Sequence, residues 1–252
     1  MTSKIKIQLY NNDCLSVLKE LKDESIDLIL TDPPYNLGKF MKDRQTNLKK
    51  MRENFFGEAG WDDLEYLEWK NHMDSFFEEA NRVLKKRGSM IIFMSLMKIE
   101  TIVELASKHK FYYKTTGVWH KTNPMPRNMN LHFINSTEGW IYFVNKGKTG
   151  TFNNKGKAIH DFIETSVIRG NEKKYGIHPT QKPEVLFEHF VNLLSNENDV
   201  ILDPFMGSGT AGIVSKRLNR NFVGCEIDKE YFKIATNRIE ETLEQQIAID
   251  LD

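Results

Sequence analysis

The sequence predicts an α/β fold in which helices cover both faces of a mostly parallel sheet. Two observations predict it. Short apolar runs alternate along the chain with longer amphipathic segments, and several of the apolar runs are nearly continuous, as in strands buried on both faces. The 252 residues, 40% of them hydrophobic, suffice for one large α/β domain with an inserted segment or for two small domains.

The first 145 residues contain five predicted strands and three predicted helices. Alternating apolar and polar residues predict a strand from Ile5 to Tyr10, and leucines on one face predict a helix from Cys14 to Leu21. The next elements, in order, are the buried strand Ile26–Leu30, a long amphipathic helix that begins near Asp62 or Asp63 and is stopped by Gly88, the strand Met90–Met94, the helix Ile99–His109, and the strands Phe111–Trp119 and Gly139–Val144.

The rest of the chain begins with an unpatterned polar stretch, Lys146–Tyr175, and then alternates again. Helices are predicted after Pro183, from Thr210 to Leu218 and from Asp228 to about Leu243, with strands at Val200–Leu202 and Asn221–Cys225. The last helix has no strand after it, and the first strand has no helix before it. We therefore expect the first strand to lie beside the last one and to complete the sheet.

Charge is balanced over the chain but unevenly distributed. Basic and acidic residues number 35 each, yet the segment Leu105–Ile159 carries nine lysines and arginines and a single acid, Glu138. A locally basic segment is typical of phosphate binding, although an ordinary solvated face has the same pattern. A second basic stretch, residues 36–60, has no clear period, and its length and position predict a mobile lid over a substrate or a disordered loop.

Composition argues against several classes of protein. No apolar run is long enough to span a membrane, and the polar N-terminus lacks the apolar core of a secretory signal. The two cysteines, Cys14 and Cys225, disfavour a disulfide framework and favour core positions in a cytoplasmic protein. The seven histidines show no metal-ligand spacing, so no metal is expected.

The segment Asp32-Pro33-Pro34-Tyr35 follows the predicted strand Ile26–Leu30 directly. The two prolines cannot donate to a strand ladder, so the strand ends there and presents its next residues at the carboxyl edge of the sheet, where open α/β sheets bind ligands. The Asp32 carboxylate and the Pro33 carbonyl can accept both hydrogens of one amino group, while Tyr35 can stack on the ring that carries it. A polar loop that merely ends a strand is the alternative.

A glycine turn follows the strand Val200–Leu202 and opens the next helix. The segment Asp203–Thr210 contains Gly207 and Gly209, which allow close approach of a ligand to the backbone and to a helix N-terminus. Glu226 ends the following strand, where an acid can accept hydrogen bonds from two ribose hydroxyls. The pair indicates an adenosine-bearing ligand, and the missing Gly-Lys-Ser/Thr excludes a P-loop.

Together, the Asp-Pro-Pro-Tyr corner and the turn Asp203-Pro-Phe-Met-Gly-Ser-Gly-Thr210 resemble the amino-DNA methyltransferases of restriction–modification systems. The order of the motifs, with the catalytic one first, is similar to that of the beta group, and the resemblance covers nearly the whole chain. It implies a Rossmann-like methyltransferase fold, circularly permuted, with a small target-recognition insertion. It also implies a single domain, residues 1–252, with recognition at residues 125–177 and the mobile loop at 36–60.

The resemblance implies a role for each motif. The catalytic corner is Asp32, Pro33, Pro34 and Tyr35. S-adenosylmethionine is the implied cofactor, and the residues expected to bind it are Asp13, Asp32, His178, Thr180, Lys182, Asp203, Pro204, Phe205, Gly207, Ser208, Gly209, Thr210 and Glu226. The implied reaction is methylation of the N6 amino group of an adenine that has left the duplex.

DNA is the implied partner, at a short target site. From the basic segments and the loop Asn123–Pro126 we expect contacts by Lys39, Lys42, Arg44, Asn123, Arg127, Lys146 and Lys148. A homodimer and a cognate restriction endonuclease are partners by analogy with the family. The host is expected to be a bacterium, an archaeon or a phage.

Other functions stay open at this point. An N4-cytosine methyltransferase is the nearest alternative, although Asp at the first corner position favours adenine. A catalytically silent DNA-binding subunit, or an enzyme acting on RNA or on a protein glutamine amide, are the others. Methylation at cytosine carbon 5 is disfavoured, because it needs a cysteine nucleophile, usually after proline, and the cysteines here follow Asp13 and Gly224.

Overall fold

The computed structural model describes residues 5–37, 64–124, 133–168, 170–176 and 178–250, without the side chains of 171 and 243–250. Within these residues the chain forms eight strands, β1 Ile7–Tyr10, β2 Ile26–Thr31, β3 Leu84–Met94, β4 Phe111–Lys121, β5 Thr137–Asn145, β6 Phe162–Thr165, β7 Val200–Asp203 and β8 Asn221–Cys225. It also forms six helices, α1 Cys14–Glu20, α2 Tyr66–Val83, α3 Ile99–Lys108, α4 Glu184–Leu194, α5 Thr210–Arg217 and α6 Lys229–Asp250, and short 3₁₀ turns at Leu96–Lys98 and Gly170–Lys173.

All eight strands join one sheet in the order β1-β8-β7-β2-β3-β5-β4-β6. The four pairings β1–β8, β8–β7, β7–β2 and β2–β3 are parallel. Strand β5 is antiparallel to both of its neighbours, β3 and β4, and β6 is parallel to β4. The predicted mostly parallel sheet is therefore confirmed. Because β5 runs opposite to β3 and β4, its first residues lie at the same edge as the carboxyl ends of the other strands.

The first strand lies beside the last, as the unpaired chain ends predicted. Ile7 is opposite Phe222 and Tyr10 is opposite Cys225 in a parallel ladder. The N-terminal strand β1 thus forms the edge of the sheet beside the C-terminal strands β8 and β7. This is the circular permutation expected from the order of the motifs.

Helices cover both faces of the sheet. Helices α4, α5 and α6 pack on one face, where Phe93 stacks on Phe187 and meets Phe190 edge-on, with ring centroids 5.7 and 5.9 Å apart. Helices α1, α2 and α3 pack on the other face, where Phe76 and Phe77 are fully buried. Each such side chain contributes roughly 1.5–3 kcal/mol by leaving water, so the central strands are held rigidly from both sides.

Two expectations about local structure are wrong. Gly88 does not end helix α2, which stops at Val83, because residues 84–94 form β3 and Gly88 lies in a bulge of that strand. A Cβ at Gly88 would lie 3.0 Å from the Asp27 carbonyl, so close approach of two backbones explains the glycine. The stretch Lys146–Tyr175 is not wholly irregular either, since it contains β6, whose ladder partner β4 lies far away in sequence. Asp62 and Asp63 lie outside the described residues.

Cys14 and Cys225 are free and buried, as predicted. In the described part of the chain, no helix is long and apolar enough to cross a membrane.

Candidate active site

The catalytic corner begins where β2 ends. Thr31 is the last residue that pairs with β3, and the prolines that follow turn the chain away from the ladder. The Trp69 indole N–H, on helix α2, donates to the Pro34 carbonyl over 3.2 Å and fixes the corner against the helix. The corner therefore presents Asp32 and Tyr35 from a rigid backbone.

Asp32 is held by two donors, one on each carboxylate oxygen. The Tyr35 hydroxyl donates to Oδ1 over 2.7 Å, and the Lys182 ammonium donates to Oδ2. Burial raises the pKa of Asp32 above its ordinary value, and Lys182 opposes that rise. Tyr35 has a pKa well above 10, because it is buried beside two carboxylates, so it stays a protonated donor at neutral pH.

Glu138, at the start of β5, completes this cluster. Its Oε2 lies 3.1 Å from the Tyr35 hydroxyl and 3.2 Å from the Lys182 ammonium, and its Oε1 accepts from Lys121 at the end of β4. Burial would raise the pKa of Glu138, but Lys182 and Lys121 outweigh it and lower the pKa to about 2. The cluster thus contains two carboxylates and two ammonium groups in a site largely closed to water.

The catalytic corner and the glycine turn meet across neighbouring strands. Because β2 and β7 pair in parallel, their ends coincide, and the Thr31 hydroxyl donates to Asp203 Oδ1 over 2.8 Å. The backbone N–H of Phe205 donates to the same oxygen over 3.2 Å. Burial raises the pKa of Asp203 to about 7, with Asp32 and Glu226 nearby adding to the effect. The two segments that the sequence singled out form one cleft.

The glycine turn approaches its neighbours too closely for larger residues. Gly207 and Gly209 have φ of 51° and 80°, and a Cβ on Gly207 would lie 3.1 Å from the His178 ring. A Cβ on Gly209 would lie 3.0 Å from Ala235 of helix α6, so this glycine also serves packing beneath the turn. Ser208 and Thr210 are buried, and the hydroxyls of both contact neighbouring protein groups.

Arg238 of helix α6 holds the turn from beneath. Its guanidinium donates to the Ser208 carbonyl over 2.7 Å and to the Ser208 hydroxyl over 3.1 Å, and it pairs with Glu184 at 3.2 Å. The Thr210 hydroxyl donates to the Lys182 carbonyl over 3.1 Å and so ties the turn to the segment before α4. These contacts fix the shape of the turn through Ser208 and Thr210.

Glu226 follows β8 at the same edge of the sheet. Its carboxylate accepts from the Gly207 N–H and the Asp228 N–H, both over 2.9 Å, and burial raises its pKa. A carboxylate has about four lone-pair positions, so capacity remains for ribose hydroxyls. Asp228 in turn accepts from Glu230 and Tyr231 backbone N–H groups, as predicted for a helix cap.

The segment around His178 lies over the glycine turn. The His178 ring meets Tyr231 edge-on at 4.3 Å, and burial together with Lys182 lowers its pKa to about 4, so the imidazole is neutral. Thr180 is exposed, and its hydroxyl lies 3.3 Å from His178 Nδ1. The ammonium group of Lys182, which the sequence placed among the cofactor residues, pairs with Asp32 and Glu138.

Asp13 lies at the same edge, after β1, but its carboxylate caps helix α1. Its Oδ2 accepts from the Ser16 N–H over 2.9 Å and from the Ser16 hydroxyl over 3.2 Å. Pro204 and Phe205 continue the strand end into the turn, and the Phe205 ring packs edge-on against Phe76 at 5.7 Å. Phe205 therefore contributes to the wall beneath the cleft.

The residues expected to bind DNA fall into three places. Lys39, Lys42, Arg44 and Arg127 lie outside the described residues. Asn123 lies at the active-site edge after β4, where its side-chain carbonyl accepts from the Val167 N–H over 2.8 Å. Lys146 and Lys148 follow β5 and so lie at the opposite end of the sheet, away from Asp32.

Sequence reasoning did not assign Glu138, Lys121 or Arg238 to the site. Glu138 carried a signal, because it is the single acid in the basic segment Leu105–Ile159. Lys121 and Arg238 carried none, since one ends a strand and the other lies among the charges of an amphipathic helix. Within the described residues, no group of histidines, cysteines and carboxylates could hold a metal ion.

The sheet topology, the catalytic corner and the adjoining glycine turn define a Rossmann-like methyltransferase. A family model described as a DNA methylase of the N6/N4 type matches residues 26–237. The chain therefore belongs to the N6/N4 DNA methylases, and the predicted resemblance to the amino-DNA methyltransferases is confirmed.

Relatives with curated names agree with this assignment. The Type II methyltransferase M2.DpnII of Streptococcus pneumoniae is 35% identical over 248 residues, which cover 94% of this chain and 91% of that protein. The Type II methyltransferase M.HinfI of Haemophilus influenzae is 33% identical over 249 residues, covering 92% and 68%.

Solved structures share the fold. M1.HpyAVI, crystallised as a complex with S-adenosylmethionine, is 30% identical, with a TM-score of 0.67 over 92% of this chain and 99% of that one. The PvuII DNA methyltransferase, titled cytosine-N4-specific, has a TM-score of 0.74 over 97% and 94% of the two chains. At 19% identity it supports the fold alone.

Proposed function

We propose that this protein transfers a methyl group from S-adenosylmethionine to the N6 amino group of a target adenine in a specific DNA sequence. The observation that carries the proposal is the Thr31–Asp203 hydrogen bond, which joins the catalytic corner to the glycine turn in one cleft. An amino group held at Asp32 therefore lies beside a ligand held at the turn.

S-adenosylmethionine is the cofactor, as predicted, and the residues of the cleft fit it. The missing side chain of Gly207 lets the His178 ring lie against the turn, and two acids, Asp203 and Glu226, flank the turn. We assign Glu226 to the ribose hydroxyls, and Asp203 with the turn Pro204–Thr210 and His178 to the methionine end, which carries positive charge. When bound, S-adenosylmethionine supplies the methyl group as an electrophilic carbon on a positively charged sulfur.

The corner activates the amine. The lone pair of an exocyclic amine is delocalised into the ring, so the amine is a poor nucleophile. We assign Asp32 and the Pro33 carbonyl to accept both N–H hydrogens, which favours a tetrahedral nitrogen in the transition state. The amine lone pair forms the new N–C bond while the S–C bond breaks toward sulfur, and the methylated nitrogen then releases a proton to solvent. Asp32 need not act as a formal base.

The target base must leave the duplex to reach this cleft. We assign Tyr35 to its ring face, with the hydroxyl anchored on Asp32 and Glu138 and the ring as a stacking surface. Asn123 lies at the same edge and is our candidate for contact with the DNA beside the target. Lys39, Lys42, Arg44 and Arg127 are proposed phosphate contacts, so affinity for DNA should fall as salt rises.

We propose recognition by residues 125–177 and closure by residues 36–60 within a single domain. A cognate restriction endonuclease and a bacterial cytoplasm are further proposals, supported by the Type II names and bacterial sources of the relatives. A homodimer is proposed by analogy with the family. Lys146 and Lys148 lie at the far end of the sheet, so we give them no contact at the target base.

The test is methylation of mixed-sequence DNA by purified protein, followed by digestion and separation of the nucleosides. We expect N6-methyladenine from the wild type and none from Asp32→Ala. N4-methylcytosine without N6-methyladenine would overturn the assignment of the base. Tight cofactor binding without turnover on DNA would favour a silent subunit, and labelled RNA and protein acceptors should stay unmethylated.

A further inference from the structure

The Asp32 carboxylate already has a donor on each oxygen. Tyr35 donates to Oδ1, and Lys182, only 5% exposed, donates to Oδ2. Each carboxylate oxygen accepts about two hydrogen bonds, so an incoming amine that uses Asp32 as its acceptor shares an oxygen with one of these donors and competes with it. A buried ammonium or hydroxyl that loses its acceptor is costly, because water cannot replace it.

Glu138 is placed to receive both donors. Its Oε2 lies 3.1 Å from the Tyr35 hydroxyl and 3.2 Å from the Lys182 ammonium, so neither group has to move far to exchange acceptors. Its other oxygen is held by Lys121, which fixes the carboxylate in place from the end of β4. After the exchange both buried donors still have an acceptor, and the amino hydrogens take their places on Asp32.

We propose that Glu138 is a positioning residue that takes over the Lys182 ammonium and the Tyr35 hydroxyl when the target amino group binds Asp32. This inference rests on the proposed function. It assigns Lys182 to the catalytic corner rather than to the cofactor. Glu138 itself does not touch the target base.

The charges around Asp32 predict how the cluster responds to mutation. The titratable groups that face it are Tyr35 on the corner, Lys182 before α4, Glu138 on β5, Lys121 on β4 and Asp203 on β7. Glu138 has a pKa of about 2 and is charged throughout the working range. Its charge raises the pKa of Asp32, whereas Lys182 lowers it. Removing the charge of Glu138 should therefore lower the pKa of Asp32, and removing Lys182 should raise it.

The experiment compares turnover against pH in Glu138→Gln and Lys182→Met. We expect Glu138→Gln to lower kcat about 10- to 100-fold, as for lost hydrogen bonds to charged groups, with the Kd for S-adenosylmethionine within about twofold of the wild type. The acidic limb of the kcat profile should move to lower pH in Glu138→Gln and to higher pH in Lys182→Met. Glu138→Asp, which keeps the charge, should leave the limb in place.

Glu164→Gln is the matched control. Glu164 on β6 lies near the same edge and pairs with His120 at 2.8 Å, outside the cluster, so its removal should leave kcat and the pH profile unchanged. If Glu138→Gln loses activity without a shift of the acidic limb, Glu138 is a structural ion-pair partner and the inference is overturned. Wild-type turnover by Glu138→Gln would overturn it too. If the wild type itself fails to methylate adenine, the proposed function fails instead, and the two failures are distinct.

Discussion

Asp203 should make cofactor binding depend on pH near neutrality. Burial raises its pKa from 3.8 to about 7, a shift worth roughly 4 kcal/mol against ionisation. Its ionised fraction should rise from about one tenth at pH 6 to about nine tenths at pH 8. If the positively charged methionine end binds the ionised form, the Kd for S-adenosylmethionine should weaken about tenfold between pH 8 and pH 6.

Two variants isolate this carboxyl. Asp203→Asn should remove the pH dependence and bind at pH 8 no more tightly than the wild type does at pH 6. Thr31→Val removes a hydrogen bond that favours the ionised form, so it should move the midpoint of the Kd profile to higher pH. Thr31 contacts Asp203 and not Glu226, so the midpoint shift is specific to Asp203.

These dissociation constants are measured by isothermal titration calorimetry between pH 5.5 and 8.5, a range that extends about 1.5 pH units on either side of the pKa of Asp203. Methylthioadenosine has the nucleoside but lacks the sulfonium, ammonium and carboxylate charges of the methionine end. It is the control ligand and should bind with little pH dependence. Equal pH slopes in the wild type and Asp203→Asn would refute the assignment of Asp203 to the charged end of the cofactor.

The same shift predicts the pH dependence of stability. Folded Asp203 keeps its proton up to about pH 7, whereas the unfolded chain releases it near pH 3.8. The folded state therefore binds more protons between these values, and this contribution to stability is lost as pH rises toward and through 7. Thermal unfolding without ligand should fall more steeply with pH in the wild type than in Asp203→Asn.

Three further predictions concern the turn and the charged surface. Gly207→Ala should weaken cofactor binding at least about tenfold, because the new Cβ would lie 3.1 Å from the His178 ring. Gly156 also has a positive φ but lies in open space, so Gly156→Ala should cost only about 1 kcal/mol in unfolding free energy and leave the Kd unchanged. A normal Kd for Gly207→Ala would contradict the close-contact argument. Arg238→Met should raise the Kd by destabilising the turn it holds and should lower the melting temperature by several degrees, about what 1–2 kcal/mol produces, as measured by calorimetry. The double variant Lys146→Ala and Lys148→Ala should methylate short duplex DNA with wild-type kcat/KM, because both residues lie at the far end of the sheet; a loss of tenfold or more would place DNA there.

Local patterns predicted the elements that depend on neighbours in sequence. The helix after Pro183, the strand Asn221–Cys225 and the Asp228 cap agree with the structure, because period, fixed proline φ and side-chain capping act over a few residues. Gly88 was misinterpreted because a glycine that stops a helix and one that allows a bulge have the same local signal. Strand β6 was missed because its ladder partner is remote.

The sequence alone predicted the two motifs, the mostly parallel sheet and the pairing of β1 with β8, since these follow from local residue types and from the order of strands and helices along the chain. Only the tertiary structure decided which side chains meet at Asp32. Lys182 lies 150 positions away along the chain, and Glu138 arrives there because β5 runs antiparallel to β3. Contacts of this kind depend on strand order and direction, which no local pattern encodes.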